Sequence, residues 1–426
     1  MLLLLLACSG SEPPAPTADA DFQKQLQEQL ILAQPGAVIE VPAGTWHLDQ
    51  GLSLTVEGVT IRGAGPDKTI LNFKGQSAGA EGLLVTADDF TIEDIALEDT
   101  RGDALKVKGA DGVTIRRVRT EWTRGPHEEN GAYGIYPVQC KRVLIEHSVA
   151  IGASDAGVYV GQSEQIIVRH NRAENNVAGI EIENSRFADV HDNVATHNTG
   201  GILVFDLPDL PVQGGRNTRV FDNEVVSNNT DNFAPEGNIV GIVPPGTGIL
   251  VFANDQVEVF NNTIRDHDTL SVAVASYLAS GKPINDPSYD PYPEAIYVHD
   301  NTITASGDDP RGMLVKAMAL AIGSPFPAIV YDGIVDDKKL GPDGKLPPEL
   351  RICARNNGGA TIANIDAAHD FDNVDRDPAS FDCDHPPLQE IRLDAVADAT
   401  AQPAEETAGE TDDDGNTEGE VAEGAP

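Results

Sequence analysis

The sequence predicts an all-β chain, a single-stranded right-handed parallel β-helix solenoid with an N-terminal capping helix and a disordered acidic C-terminal tail. Three observations carry that expectation. The first is a recurring phrase: apolar, any, apolar, any, any, Asn. It reads Ile166–Ile167–Val168–Arg169–His170–Asn171 and returns ending at Asn193, Asn223, Asn262 and Asn301, with a degenerate copy ending at Asn356. Earlier copies end on Ile95, Val118 and Ser148. The second is the spacing. The second apolar residue of each copy gives the marks Ile61, Ile92, Ile115, Ile145, Val168, Val190, Val220, Val259, Val298 and Cys353, and the shortest intervals are 22 and 23 residues. The third is a short alternating run in each repeat, as in Gly157–Val158–Tyr159–Val160, Gly179–Ile180–Glu181–Ile182 and Gly201–Ile202–Leu203–Val204. Alternation sends the β-branched residues to one side and the residues between them to the other. Strands this short bury an apolar face only by stacking turn on turn, at about 4.8 Å per turn. Right-handed coiling follows from the handedness of parallel crossovers. A stacked Asn column suits the same geometry, because a lone buried amide costs about 1–3 kcal/mol whereas neighbouring amides satisfy one another.

Taken in order, residues 1–8 end in Leu5–Leu6–Ala7–Cys8, followed by Ser9. That stretch resembles a bacterial lipobox, although no Lys or Arg precedes it. The resemblance implies acylation of Cys8 and an exported protein, lipid-anchored to the bacterial cell envelope at the outer membrane or periplasmic face. Membrane contact is then expected only through that lipid. Residues 9–20 read as a flexible tether. Phe22, Leu26, Leu30 and Ile31 stand at helical spacing and predict a helix that caps the open end of the coil. The coil itself is expected over 21–390, with inserted loops at 120–132, 205–217, 224–247, 275–294 and 316–349. Residues 391–426 form the tail; from Asp394 onward it carries eleven acids and no Lys or Arg. Cys353 and Cys383 lie near the end of the coil and are expected to form a disulfide in an exported protein, leaving Cys140 as a buried free thiol.

The formal net charge is −39. Binding of nucleic acid through its phosphates is excluded by that balance, because counterion release needs Lys and Arg contacts. No zinc site, phosphate loop, nucleophile triad or haem-attachment motif is present. No cofactor is called for, with Ca²⁺ left open by the acidic face.

Chemistry is expected on one outward strand face. Aligning the inward residues gives an outward column of Lys106, Tyr136, Tyr159, Glu181, Leu203 and Leu250 and a second of Lys108, Val138, Gly161, Glu183, Phe205 and Phe252. Tyr133, Asp155, Glu181, Glu183, Phe205 and Phe252 are the candidate binding residues, the tyrosines for stacking on sugar rings. Asp155 equally suits a turn cap. The stretch from Asp103 to Arg142 is the only basic one in the chain, and its inserted loop holds His127. Lys106, His127, Tyr136 and Tyr159 are therefore the candidate catalytic set: β-elimination or C5 epimerisation of a uronic acid needs a cation for the carboxylate and a base for the C5 proton. The plainer expectation is that these cations pair with neighbouring acids on the surface.

Ala178–Gly179–Ile180–Glu181–Ile182–Glu183–Asn184–Ser185, the run from Thr199 to Pro208, Asn232–Phe233–Ala234–Pro235 and Gly246–Thr247–Gly248 resemble a family of exported bacterial parallel β-helix repeat proteins. More distantly the chain is similar to pectate lyases, alginate epimerases and β-helix proteins of copper-enzyme maturation. The resemblance implies a lipoprotein or secreted protein, with an exported cytochrome as a companion. It transfers no catalytic residue, and the chain lacks an Asp-Pro-His signature of the alginate epimerases. The leading expectation is binding of a cell-envelope glycan or envelope protein on the outward face. The alternatives are a polysaccharide lyase or C5-epimerase acting on uronic-acid polymers, and an accessory to an exported cytochrome.

Overall fold

The computed structural model describes residues 17–323 and 325–393. Cys8, most of the tether and the tail from residue 394 lie outside them. Strands from Val38–Glu40 to Ile362–Asn364 stack in parallel into a larger sheet of 19 strands and a smaller one of 11. One turn comprises Ala156–Gly161 in the smaller sheet, then Glu164–Arg169 and Arg172–Glu174 in the larger. The next turn repeats it as Ala178–Glu183, Arg186–His191 and Val194–Thr196. Register is in step along the coil: Val158, Ile180, Ile202 and Ile249 align in the smaller sheet, and Val168, Val190, Val220, Val259 and Val298 in the larger. These residues point inward and are fully buried. Each contributes about 1.5–3 kcal/mol by leaving water.

The corners between strands are set by two residues acting together. The residue before each ladder asparagine has a left-handed backbone: His170, Asp192, Asp222, Asn261 and Asp300 all have φ between 52° and 55°. Asn, Asp and His tolerate that region better than other side chains, which accounts for their choice at this position. The asparagine that follows turns inward and joins a ladder. Asn171 Nδ2 donates to Asn193 Oδ1 at 3.0 Å and to the Ile145 carbonyl at 2.9 Å, while its Oδ1 accepts from the Ser148 amide. Asn193, Asn223, Asn262 and Asn301 repeat the pattern.

The ladder ends on Asn357, not on Asn356 as the sequence phrase suggests. Tyr297 pairs with Cys353 and Val298 with Ala354, so the last copy is displaced by one residue. Ile352 and Ala354 take the inward positions and Cys353 sits in the outward column. There its sulfur is bonded to that of Cys383. Cys140 is buried and free.

A second ladder runs through Asn176, Asn198 and Asn228 at 2.9 Å per step and ends on His267 Nε2 at 3.1 Å from Asn228. Each member follows a first-ladder asparagine by five residues, a spacing present in the sequence.

The N-terminal end of the coil is covered. The helix Ala20–Leu32 buries Leu26 and Leu30, and Phe22 stacks on Trp46 at 3.9 Å. Gln23 exchanges two hydrogen bonds with Asp49, through its backbone amide and its carboxylate, and Gln27 exchanges two with the backbone of Ser53. These side-chain amides stand in for the strand that the edge lacks. After the last strand the chain doubles back along the outside of the larger sheet. The Leu388 amide donates to Glu258 Oε2 at 3.0 Å and that of Ile391 to Asp189 Oδ2 at 3.1 Å.

Candidate functional site

The smaller sheet delivers the outward residues in the aligned columns. Tyr136 lies beside Lys106, Tyr159 beside Glu181, and Gly161 beside Glu183. Much of that face is closed, contrary to an open strand surface. Phe205 and Phe252 form an apolar cluster with Leu203, Leu250, Val240, Val243, Tyr277 and Tyr289, whose last four members come from the inserted loops. Phe205 is 0% exposed and Phe252 2%, both packed against side chains from the inserted loops. The loops are tied to the rod and to one another. The Tyr289 hydroxyl donates to the Asp206 carbonyl at 2.6 Å, Lys282 Nζ to the Gly237 carbonyl, and Gln213 Nε2 to Asp286.

The face remains accessible where the cover ends. Tyr133 and Tyr136, both half-buried, pack with buried Tyr159 as three mutually tilted rings, with centroids 4.4–4.9 Å apart. Such tilted contacts pair ring edges with ring faces. Carboxyls surround them. On one side Lys106 Nζ lies over the Tyr136 ring, 4.7 Å from its centre, 3.1 Å from Asp103 and 3.5 Å from Glu81. On the other, the Tyr159 hydroxyl donates to Glu183 Oε1 at 2.6 Å. Asn238, from the 224–247 loop, donates to Asp155 Oδ2 at 3.1 Å, and the Tyr133 hydroxyl approaches the same oxygen at 3.5 Å. Gly161 makes the Tyr159 contact possible, because a Cβ there would lie 2.2 Å from the hydroxyl.

Burial dominates the electrostatics. It pushes the Asp155 and Glu183 carboxyls up to about 7, and holds Glu181 well above the carboxylate range, with neighbouring carboxyls adding to the effect on Asp155 and Glu181. Glu181 Oε2 finds no hydrogen-bond partner among the described residues. Burial, then nearby carboxylates, also raises the phenols of Tyr133, Tyr136 and Tyr159. Near neutral pH they therefore keep their protons and serve as hydrogen-bond donors.

Of Lys106, His127, Tyr136 and Tyr159, the lysine and both tyrosines lie together, and His127 stands apart from them. His127 is exposed at the loop tip and accepts from the Glu129 amide within its own loop. Trp122, from the same loop, is buried and donates to the Thr100 carbonyl. Lys106 is already engaged by two carboxylates. Six other cations of the basic stretch are similarly paired: Arg116 with Glu146, Arg117 with Asp94, Arg119 with Glu98, Arg124 with Glu129, Lys141 with Glu164 and Arg142 with Asp111. The plainer expectation for them holds. Among the described residues no group of three or more His, Cys, Asp or Glu is arranged to hold a metal ion. Sequence inspection overlooked Asp103, Glu81 and Asn238. Asp103 and Glu81 lie beside strand positions already aligned, whereas Asn238 arrives from a loop whose path no periodicity encodes.

Residues 57–264 match the family described as the right handed beta helix region. The solenoid is a right-handed parallel β-helix. No curated protein matches the chain in sequence. Among solved structures, this right-handed β-helix is similar to the A-module of the mannuronan C-5 epimerase AlgE4 from Azotobacter vinelandii. That match has 15% identity and a TM-score of 0.46, covering 83% of this chain and 94% of that one. The catalytic unit of a GH87 alpha-1,3-glucanase from Streptomyces thermodiastaticus matches with 14% identity and a TM-score of 0.45, over 76% of this chain and 49% of that one. The PL6 family alginate lyase AlyGC matches with 14% identity and a TM-score of 0.39, over 78% and 50% respectively. Those activities belong to the proteins named.

Proposed function

We propose that this β-helix binds a glycan at the edge of the covered face, with Tyr133 and Tyr136 as the stacking surface. The observation that carries this reading is the pair of half-buried rings bordered by hydrogen-bonding carboxyls, at the point where the loop cover stops. Sugar rings pack their C–H faces on aromatic rings, and their hydroxyls donate to carboxylates and accept from protonated carboxyls and phenols. With Cys8 acylated, the glycan would be a polymer of the cell envelope. Isothermal titration against a panel of envelope oligosaccharides tests the reading. Tyr136→Ala should weaken the best ligand at least tenfold, about 1.4 kcal/mol. Affinity unchanged by both Tyr136→Ala and Tyr133→Ala, or a panel without any binder, overturns it.

A second reading, turnover of the bound glycan, is favoured by the carboxyls of Asp155 and Glu183. A group that holds its proton near neutrality suits general acid catalysis. The uronate lyase or epimerase version requires Lys106 to exchange Asp103 and Glu81 for the substrate carboxylate. Release of reducing ends, or of unsaturated product, that vanishes in Glu183→Gln would establish turnover; neither product from any bound glycan would dismiss it.

A further inference from the structure

The cluster around the tyrosines is unbalanced in charge type. Glu81, Asp103, Asp155, Glu181 and Glu183 border the rings, and Lys106 is the cation that meets them. It engages only Asp103 and Glu81. The ionisable neighbours acting on Glu181 and Glu183 are carboxyls and a phenol. Glu181 is 1% exposed and shares a side-chain hydrogen bond with Glu183, while its Oε2 has no donor among the described residues. An acceptor buried without a donor is costly, and it marks a place that a donor from elsewhere would stabilise.

Lys106 shows what such a donor looks like. Its ammonium sits over a ring face and within reach of two carboxylates at once. Ring quadrupole and carboxylates attract the same group. On the Asp155 side the equivalent place, bounded by Tyr133, Tyr159, Glu181 and Glu183, has carboxyls and rings but no described cation. The field of the whole chain acts in the same direction, since a protein of net charge −39 concentrates cations and repels polyanions.

The geometry points to a glycan carrying free primary amines as the ligand class, its ammonium seated among Asp155, Glu181 and Glu183 beside the tyrosine rings. This rests on the glycan reading above and sharpens it: N-acetylated and neutral chains fit the rings but leave the carboxyls uncompensated, and uronates are opposed by them. Asn238 closes the cluster from the loop side, so entry of the amine displaces its hydrogen bond to Asp155. Because the buried carboxyls hold protons that an ammonium displaces, binding releases protons to the buffer.

Calorimetric titration with a glucosamine oligomer, its fully N-acetylated counterpart and a mannuronate oligomer of equal length tests the inference. The free-amine oligomer should bind at least tenfold more tightly than the acetylated one, weaken with added salt, and release protons when buffers of different ionisation enthalpy are compared. Glu183→Gln and Asp155→Asn should each narrow the tenfold gap by weakening the free-amine oligomer more than the acetylated one. Equal affinity for the amine and acetyl forms, or tighter binding of mannuronate, overturns the charge selection and leaves the glycan site standing. Silence from all three oligomers, together with silence from the wider oligosaccharide panel, removes both.

Discussion

An asparagine in the first ladder satisfies four partners at once, and that determines what its removal costs. Asn193 accepts from the backbone and side-chain amides of Asn171 and donates to the Val168 carbonyl and to Asn223. Asn193→Ala orphans buried groups on both neighbouring turns, each worth about 1–3 kcal/mol. Thermal unfolding should register a clear loss of stability, and Asn193→Asp, which keeps the acceptor but introduces a buried charge, should not rescue it. The carboxyls near the tyrosines make the opposite kind of contribution. Asp155 and Glu183 are raised in the folded protein relative to the unfolded chain. Their contribution to stability is full below the unfolded values near pH 4 and is lost as pH rises through about 7. Stability should therefore fall between about pH 4 and 7, by up to about 1.4 kcal/mol per unit for each such group. Glu183→Gln should flatten that slope in denaturant titrations across pH, and an unchanged slope would contradict the assignment.

Strands, loops and caps differed in how plainly they could be foreseen. The strands were legible because alternation fixes which residues face inward, and the outward columns from Lys106 to Leu250 followed by simple alignment. The loops were not legible in the same way. Phe205 and Phe252 alternate as outward residues, yet Val240, Val243, Tyr277 and Tyr289 close over them, a tertiary event with no local period. The same limit hid Asn238 from view and made Lys106 and His127 look like partners. Cys353 misled by one residue because it is apolar enough to pass as an inward position. Its bond to Cys383 closes a loop over the sequence separation of 30 residues. Loop closure of that size is worth about 3–4 kcal/mol in the unfolded chain. Cys383→Ser should lower the unfolding temperature and speed hydrogen exchange at the Leu388 and Ile391 amides. If exchange there is unaltered, the returning segment is held by Glu258 and Asp189 alone.

Over four successive turns of the whole molecule, aromatic and imidazole rings on the larger sheet form a stack. His191, Phe221, Phe260 and His299 lie 4.7–5.3 Å apart and within 9° of parallel. Their faces cover one another and present edges to solvent, which suits cohesion between turns more than sugar stacking. The overall acidity opposes compaction. Moderate salt should raise the unfolding temperature by screening repulsion among carboxylates, while leaving the paired and largely buried Glu146 with Arg116 and Arg169 little affected. The repetition of amide contacts has one more consequence. Since the stretch from Arg172 to Asn193 begins and ends in equivalent contacts, copying those residues in tandem should lengthen the molecule by one storey, with the seams above and below already matched.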